Sequence, residues 1–527
     1  MTALDWSIVV VYLAGLIVLS WRLSKGQEDQ GDYYLSGRGM GWGSVGLSTM
    51  ATQLGAISFI SAPAFVGLRE GGGMKWLSYE FGVPLAMIFL IGFIVPPLYR
   101  AGVVSIYEYL ERRFAGSTRV LVSLVFQVSR SLATGVSIYA LALVLTAALG
   151  IPIWVTILIT AGVTIVYDML GGMKAVIYSD VLQMGVIFFG VLLCSVFAYG
   201  LVGGWEPFVA GLDPARLRAV EFGNWGLDGR EFGFWPMVVG GFFLYASFYG
   251  CDQLQAQRYL SCRDLKRAQR TLVFNGLGRF PVVFLYCTMG LLIGAFALQD
   301  GRFLSLMGSD NPDLMVPTFI IHYLPAGLTG VLIVAIFAAA MSSLDSALNS
   351  LSAASMQDLV QRNVKRPLSD RETLRYSKLL TLFWGLVCSA MAFATGNIAP
   401  TVIEAINLVG SLFYGPILMT FVLAILTRRT TALGVNVGLL SGVALNFGLW
   451  LFAREQVFWF WWNFTGAATT LGVATLVSRL EVARARPAGL LSLEEVGFRG
   501  RESAALLAAF FLMLLLSLSL TGLFRAS

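Results

Sequence analysis

Charge is scarce in this sequence: Asp, Glu, Lys and Arg make up 13% of its 527 residues, against about 25% in an average soluble domain. A soluble protein of this length needs a charged surface that these residues cannot supply, so a multidomain soluble protein is excluded. Histidine is nearly missing, with His322 alone in the whole chain. That removes the commonest general base and most metal-ligand sets, and His322 reads as a solvated or loop-capping group. The five cysteines are Cys194, Cys251, Cys262, Cys287 and Cys388. They lie in apolar stretches or in one basic loop, without CxxC spacing, which argues against a disulfide framework or a metal centre. What is abundant is apolar: 57% hydrophobic residues, 57 glycines and a mean hydropathy of +0.76. A spanning helix needs roughly 20 apolar residues. The chain is therefore predicted to be an all-α polytopic membrane protein.

Apolar runs bounded by Gly, Pro or charge predict about 14 transmembrane helices. They cover 4–22, 41–68, 75–98, 117–147, 151–170, 177–203 and 233–250, then 272–297, 326–352, 374–395, 398–426, 430–453, 457–478 and 503–524. The first has no basic leader and no small-residue cleavage site, so it is read as a retained span. The net charge of +6 reflects topology rather than nucleic-acid binding. With the N-terminus outside, the inside loops carry 26 Lys and Arg and the outside segments 8. Positive residues in short loops follow the cytoplasmic side, which predicts both termini outside. The longest loops, 204–232 and 298–325, then face out, and no soluble domain is expected.

Ionisable groups in hydrocarbon are costly and mark sites or pathways; Glu80, Arg130, Arg279 and Asp345 lie deepest. Glu404, one turn into its helix, reads as an outward-facing solvated group. In the second span, the run from Ser48 to Phe59 is rich in small and polar residues and is followed by Pro63. Such a helix can unwind midway, which the membrane tolerates where the freed carbonyls line a cavity; a small-residue packing face is the plainer alternative. In the ninth span, Ala339, Ser342, Ser343 and Ser346 share one face at about 100° per residue, with Asp345 and Asn349 on its flank. Hydroxyl and carbonyl oxygens with one carboxylate suit a small hard cation.

The stretch FAAAMSSLDSALNSLSA at 337–353 resembles the cation-site helix of the sodium:solute symporter family. LSTMATQLGAISF at 47–59 is similar to that family's first core helix, and YSDVLQ at 178–183, DQLQAQRYLSCRDLKRAQRTL at 252–272 and LPAGLTG at 324–330 match in order. Its sodium/galactose and sodium/sialic acid transporters are the members pictured most readily beside this chain. The resemblance implies a LeuT-type 5+5 inverted repeat core. It divides the chain into an N-terminal extra helix and loop at 1–40, a first repeat at 41–203 and an outside loop at 204–232, followed by a second repeat at 233–426 and extra helices at 427–527. Each repeat would open with an interrupted helix, 41–68 and 233–250; Gly240-Gly241 and Gly250 in the second fit a break there, with ordinary close packing as the alternative.

By the same resemblance, the main sodium site takes the carbonyls of Ala51, Leu54 and Ala339 and the hydroxyls of Ser342 and Ser343. Asp180, Asp345 and Ser346 mark a second cation position, where Asp345 replaces a serine of the two-sodium members. The solute would meet Gln53, Ser58, Glu80, Arg130, Tyr245, Phe248, Tyr249, Arg279 and Asn407. Departures from the galactose pattern stand at Ser58 and Gln53, and Arg130 lies about one turn from the sialic-acid-binding arginine. A plainer account pairs Arg130 and Arg279 with Glu80 as a buried trio.

The implied function is sodium-coupled import of a small polar solute (sugar, sialic acid or a related organic anion) by alternating access, with sodium as the co-transported ion. A proton-coupled or mixed-cation transporter is the alternative. An intramembrane enzyme lacks a catalytic constellation in the spans, and a sensor would need a cytoplasmic signalling domain where the sequence has a span at 503–524. The expected surroundings are a lipid bilayer, that of a bacterial inner membrane, with neither nucleic acid nor an obligatory protein partner.

Overall fold

A computed structural model describes residues 1–23, 30–171, 173–308, 310–364, 366, 368–395, 398–481 and 500–523. Each of the 14 segments expected to span is helical there. Nine helices are long and apolar enough to cross a membrane among the described residues, and a bent pair makes a tenth. The remaining expected spans form shorter or more polar helices, so the count of 14 rests on their helicity and not on apolar length.

In chain order, α1 is Ala3–Leu23, and the bent pair is α2 (Trp42–Gln53) and α3 (Ala56–Gly67). The apolar stretch α4 (Met74–Arg100) follows, then α5 (Gly116–Leu149), α6 (Ile153–Gly171) and α7 (Met173–Val202). The second half opens with α8 (Phe234–Cys251) and the short α9 (Gln253–Leu260), then α10 (Leu265–Gln299), α11 (Met315–Tyr323) and α12 (Leu328–Ala354). It continues with α13 (Asp370–Ala392), α14 (Val402–Leu426), α15 (Ala432–Phe452), α16 (Trp461–Leu480) and α17 (Gly500–Leu523).

Lipid tails are as apolar as leucine, so helices in a bilayer associate through close packing of small residues. The seam between α3 and α10 shows this. A Cβ on Gly290 would lie 2.5 Å from the Pro63 carbonyl, and one on Gly294 would lie 2.7 Å from Gly67 Cα. The bent helix is thereby pressed against α10, and α7 and α12 close its other sides. α15 and α17 present mostly exposed apolar faces, with Phe452, Leu512 and Leu515 outward, as lipid contact requires.

The second broken helix corrects the sequence reading. α8 runs uninterrupted through Gly240, Gly241 and Gly250, and the chain breaks at Asp252, whose φ and ψ of −98° and 125° are extended. The Asp252 carboxylate accepts the Leu254 amide at 2.9 Å and starts α9 as its N-cap. Glycine was the obvious breaker in the sequence; a capping aspartate ends one helix and begins the next with less backbone freedom lost.

Outside the spans, Asp313 pins the 299–328 linker to the bundle. It is 2% exposed, and its carboxylate accepts the Val402 amide at the start of α14 at 2.8 Å. Ser61 of α3 accepts the Ile403 amide beside it at 2.9 Å. Glu404 is not solvated as expected: it is 1% exposed and paired with Arg69 at 2.9 Å. Burial, with the Glu404 charge adding to it, raises the Asp313 carboxyl to about 7 against a smaller opposing effect of its hydrogen bonds. The folded state thus holds a proton there that the unfolded chain releases near 3.8. The stability this proton gives is complete below that value and is lost as pH rises to about 7. We predict that the Tm of the detergent-solubilised protein falls between pH 4 and 7 (about one full carboxyl titration) and that Asp313→Asn, which keeps the acceptor, flattens that fall. Parallel Tm-against-pH curves for the two proteins would contradict this.

Candidate cation and solute site

The bend of 52° between α2 and α3 creates the site. In a continuous helix the carbonyls of Ala51 and Thr52 would accept amides four residues on. At the corner formed by Leu54 (φ −92°, ψ 49°) and Gly55 they do not, and hydroxyls from α12 take their place. Ser342 Oγ donates to the Ala51 carbonyl at 3.1 Å and lies 3.0 Å from that of Ala339, while Ser343 Oγ donates to the Thr52 carbonyl at 2.8 Å. Four of the five oxygens assigned by resemblance to sodium thus come from residues that meet across one seam, and Leu54 is the corner itself. The donor set is neutral hydroxyl and carbonyl oxygen, which fits a monovalent hard cation. Glycine at 55 is required by proximity and not by φ: a Cβ there would lie 2.2 Å from Ser343 Oγ and 3.1 Å from the Ala339 carbonyl.

Beside this seam lies a cavity of about 110 Å³ that reaches from Ser343 to Glu80, Arg279 and Arg130. Gln53, Ser58, Phe248 and Asn407 also line it. Tyr245 and Tyr249 do not; they back the charged wall. Tyr245 donates to Glu80 Oε1 at 2.9 Å, stacks on Tyr79 with centroids 4.5 Å apart, and faces the Arg279 guanidinium at 4.9 Å. Tyr79 in turn donates to Asn407 Oδ1 at 3.0 Å. Sequence reasoning passed over Tyr286 and Tyr414, which line the same cavity; each lies seven residues from a polar residue that the sequence did single out, Arg279 or Asn407.

The expected trio of charges is two separate pairs. Arg279 holds Glu80 through Nε at 2.6 Å and Nη2 at 3.1 Å. Arg130 instead pairs with Asp252, with the Tyr414 hydroxyl at 3.3 Å and the Phe248 ring at 5.2 Å. Removing one partner from such a buried pair costs about 3–5 kcal/mol. Both guanidiniums keep spare donors: Arg279 Nη1 and Arg130 Nε are buried with no hydrogen-bond partner, as are the hydroxyls of Tyr249 and Tyr286 and Gln53 Oε1.

The residues of the second cation position do converge, but around a positive charge of the protein's own. Arg258, fully buried on α9, donates to Asp180 at 3.0 Å, to Ser48 at 2.9 Å and to Ser346. Asp345 accepts the Ser346 amide at 2.5 Å and its hydroxyl at 3.1 Å. Asn349 accepts from Gln257 at 2.9 Å. Asp252 and Arg258 both lie in the quoted stretch 252–272. They read there as a basic loop, because their partners are far away in the sequence.

A broken helix pinned to a hydroxyl-bearing helix, with a small charged cavity at the break, defines a cation-coupled transporter. Its structural likeness is to transporters of the LeuT-type inverted-repeat fold. One is a Na+-coupled sialic acid symporter solved substrate-bound and outward-open, with a TM-score of 0.81, 24% identity and coverage of 92% of this chain and all of that one. A nucleobase-cation-symport-1 family transporter follows at a TM-score of 0.53 and 13% identity, covering 91% of this chain and 99% of that one. The sequence profile of the sodium:solute symporter family matches residues 33–442, and the chain belongs to that family. It is 31% identical over 431 residues to the human sodium/iodide cotransporter, covering 81% of this chain and 65% of that protein. To sodium-coupled monocarboxylate transporter 1 of Xenopus laevis it is 30% identical over 438 residues, 82% of this chain and 68% of that protein. The family is one of membrane-spanning sodium-coupled transporters, and the chain spans about two thirds of the length of the curated relatives it matches.

A methyl group at position 55 should strike both the Ser343 hydroxyl and the sodium ligands. Gly55→Ala is expected to destabilise by about 1–3 kcal/mol, the usual cost of overpacking, and to remove the Tm rise produced by sodium. Adding Ser343→Ala should recover part of the basal Tm without recovering the sodium response. A sodium response as large as wild type in Gly55→Ala would show that the cation binds elsewhere.

Proposed function

We propose that this protein imports a small organic anion, a short-chain monocarboxylate, together with sodium by alternating access. The carrying observation is Arg279. It is bound to Glu80 on one edge and has a buried, unpartnered Nη1 on the other, so the pair is neutral yet still offers a charge-assisted donor to a carboxylate. Cavity size supports the same reading. An engineered cavity of about 150 Å³ accepts one benzene molecule, and 110 Å³ is smaller. A hexose exceeds benzene and sialic acid exceeds both, so the sugar-like reading fits less well. Relatives named for monocarboxylate and iodide transport, both monovalent anions, agree with it.

Sodium at Ala51, Leu54, Ala339, Ser342 and Ser343 holds the corner of α2 and α3 against α12. It places a positive charge next to a cavity whose own ion pairs cancel. A monoanion then completes the neutralisation, which makes its binding depend on sodium. Membrane potential contributes about 2.3 kcal/mol per net charge per 100 mV, and the sodium gradient adds to it. In this reading the repeats are 41–203 and 233–426, the Lys- and Arg-rich loops face the cytoplasm with both termini outside, and the bilayer is a bacterial inner membrane.

Proteoliposomes loaded without sodium offer the direct test, with labelled pyruvate, lactate and acetate compared against galactose and sialic acid. We expect sodium-dependent uptake of at least one monocarboxylate. Arg279→Gln should weaken its apparent affinity about tenfold or more, as loss of a hydrogen bond to a charged group implies. Ser342→Ala with Ser343→Ala should abolish sodium dependence. Sodium-driven sugar uptake with no monocarboxylate signal would reject the anion reading.

A further inference from the structure

Helix α9 is only eight residues long, yet it is buried along its whole length and held at both ends by ion pairs. At its start, Asp252 pairs with Arg130, which lines the solute cavity. Near its end, Arg258 joins Ser48 of α2, Asp180 of α7 and Ser346 of α12. Gln257 adds a second tie to α12 through Asn349 at 2.9 Å. Ser48 and Ser346 lie about one turn from Ala51 and Ser342, the residues that meet at the sodium seam. Six residues at about 1.5 Å each place the two ends of this strut roughly 9 Å apart.

We propose that α9 is the coupling strut of the transporter, with Asp252 and Arg258 as positioning residues that make sodium release conditional on solute. The proposal rests on the anion reading of the cavity. An anion reaching Arg130 competes with Asp252 for the guanidinium. An Asp252 left without its partner is an uncompensated buried charge, and the cost is relieved when α9 swings toward water. Arg258 travels with α9 and leaves Asp180, Ser48 and Ser346, which loosens α2 from α12 at the sodium seam. Without the anion both pins hold, and sodium stays trapped. Asp180 and Ser346 are occupied by a tethered cation, Arg258, which neutralises Asp180 while the strut is locked.

The test reads sodium alone, so it stands whatever solute the cavity takes. Labelled sodium flux is measured in proteoliposomes without any organic solute, for wild type, Asp252→Asn, Arg258→Gln and the double variant. Asparagine at 252 can still cap α9 while removing the charge that holds Arg130. Each single variant is expected to raise solute-independent sodium flux about fivefold or more, the low end of ordinary coupling between sites. The double variant should stay within about twofold of the larger single effect, because both changes release one strut. The Tm rise produced by sodium should persist in Asp252→Asn, which a general loosening of the fold would not allow. Wild-type flux in Asp252→Asn overturns the proposal, and so does a double variant whose flux is the product of the single effects. If Arg258→Gln does not fold, Asp252→Asn alone decides the matter.

Discussion

Hydrocarbon offers no hydrogen bonds, so a helix that breaks inside a membrane must find a partner for every backbone group it frees. The corner at Leu54 and Gly55 is built around that requirement. Ala51 and Thr52 lose their helical partners, and Ser342 and Ser343 replace them from a helix some 290 residues further along the chain. The hydroxyls that satisfy the break are also the oxygens that can hold a cation. In the proposed function, structural repair and ion binding use the same atoms, and a sodium ion would compete with the serine protons for the same carbonyls. That competition gives the ion leverage over the angle between two helices.

Buried charge follows the same logic on a larger scale. Glu80, Asp180 and Asp252 are each almost fully buried, and each is met by an arginine: Arg279, Arg258 and Arg130. Arginine suits this work because its planar fork serves a carboxylate and still has donors left. The three pairs join elements from both halves of the chain, α4 to α10, α7 to α9, and α5 to the break before α9. They are expensive to break one partner at a time and inexpensive to exchange for another charge. An alternating-access protein needs contacts of that kind, which are firm in each state and replaceable between states.

The contact of the second span with the ninth was legible in the sequence because its signal is local. Adjacent hydroxyls at Ser342 and Ser343 in an apolar helix, and small polar residues before Pro63, stand out against the surrounding leucine and valine. The charged wall was partly legible for the same reason, since Glu80 and Arg279 are rare residues in their spans. Their pairing with each other was anticipated, but that of Arg130 was not. Its partner Asp252 lies in a stretch whose five basic residues read as a loop, and nothing in the spacing says that this stretch folds back into the bundle.

The sequence alone determined the class: apolar runs of spanning length and scarce charge leave only a helical membrane protein, because these properties are sums over residues and do not depend on contacts. It also determined the location of the first helix break and of the hydroxyl pair that repairs it, since both are written in consecutive residues. Tertiary structure decided the rest. It ended α8 at a capping aspartate and not at a glycine, divided the expected charge trio into two pairs, moved Tyr245 and Tyr249 behind the cavity wall, and placed Arg258 where a second cation was expected. The cap that ends α8 is local, two residues long, but the other three depend on which side chains meet across more than 75 residues of chain. Partners at such separations are chosen by the packing of whole helices, which no local pattern encodes.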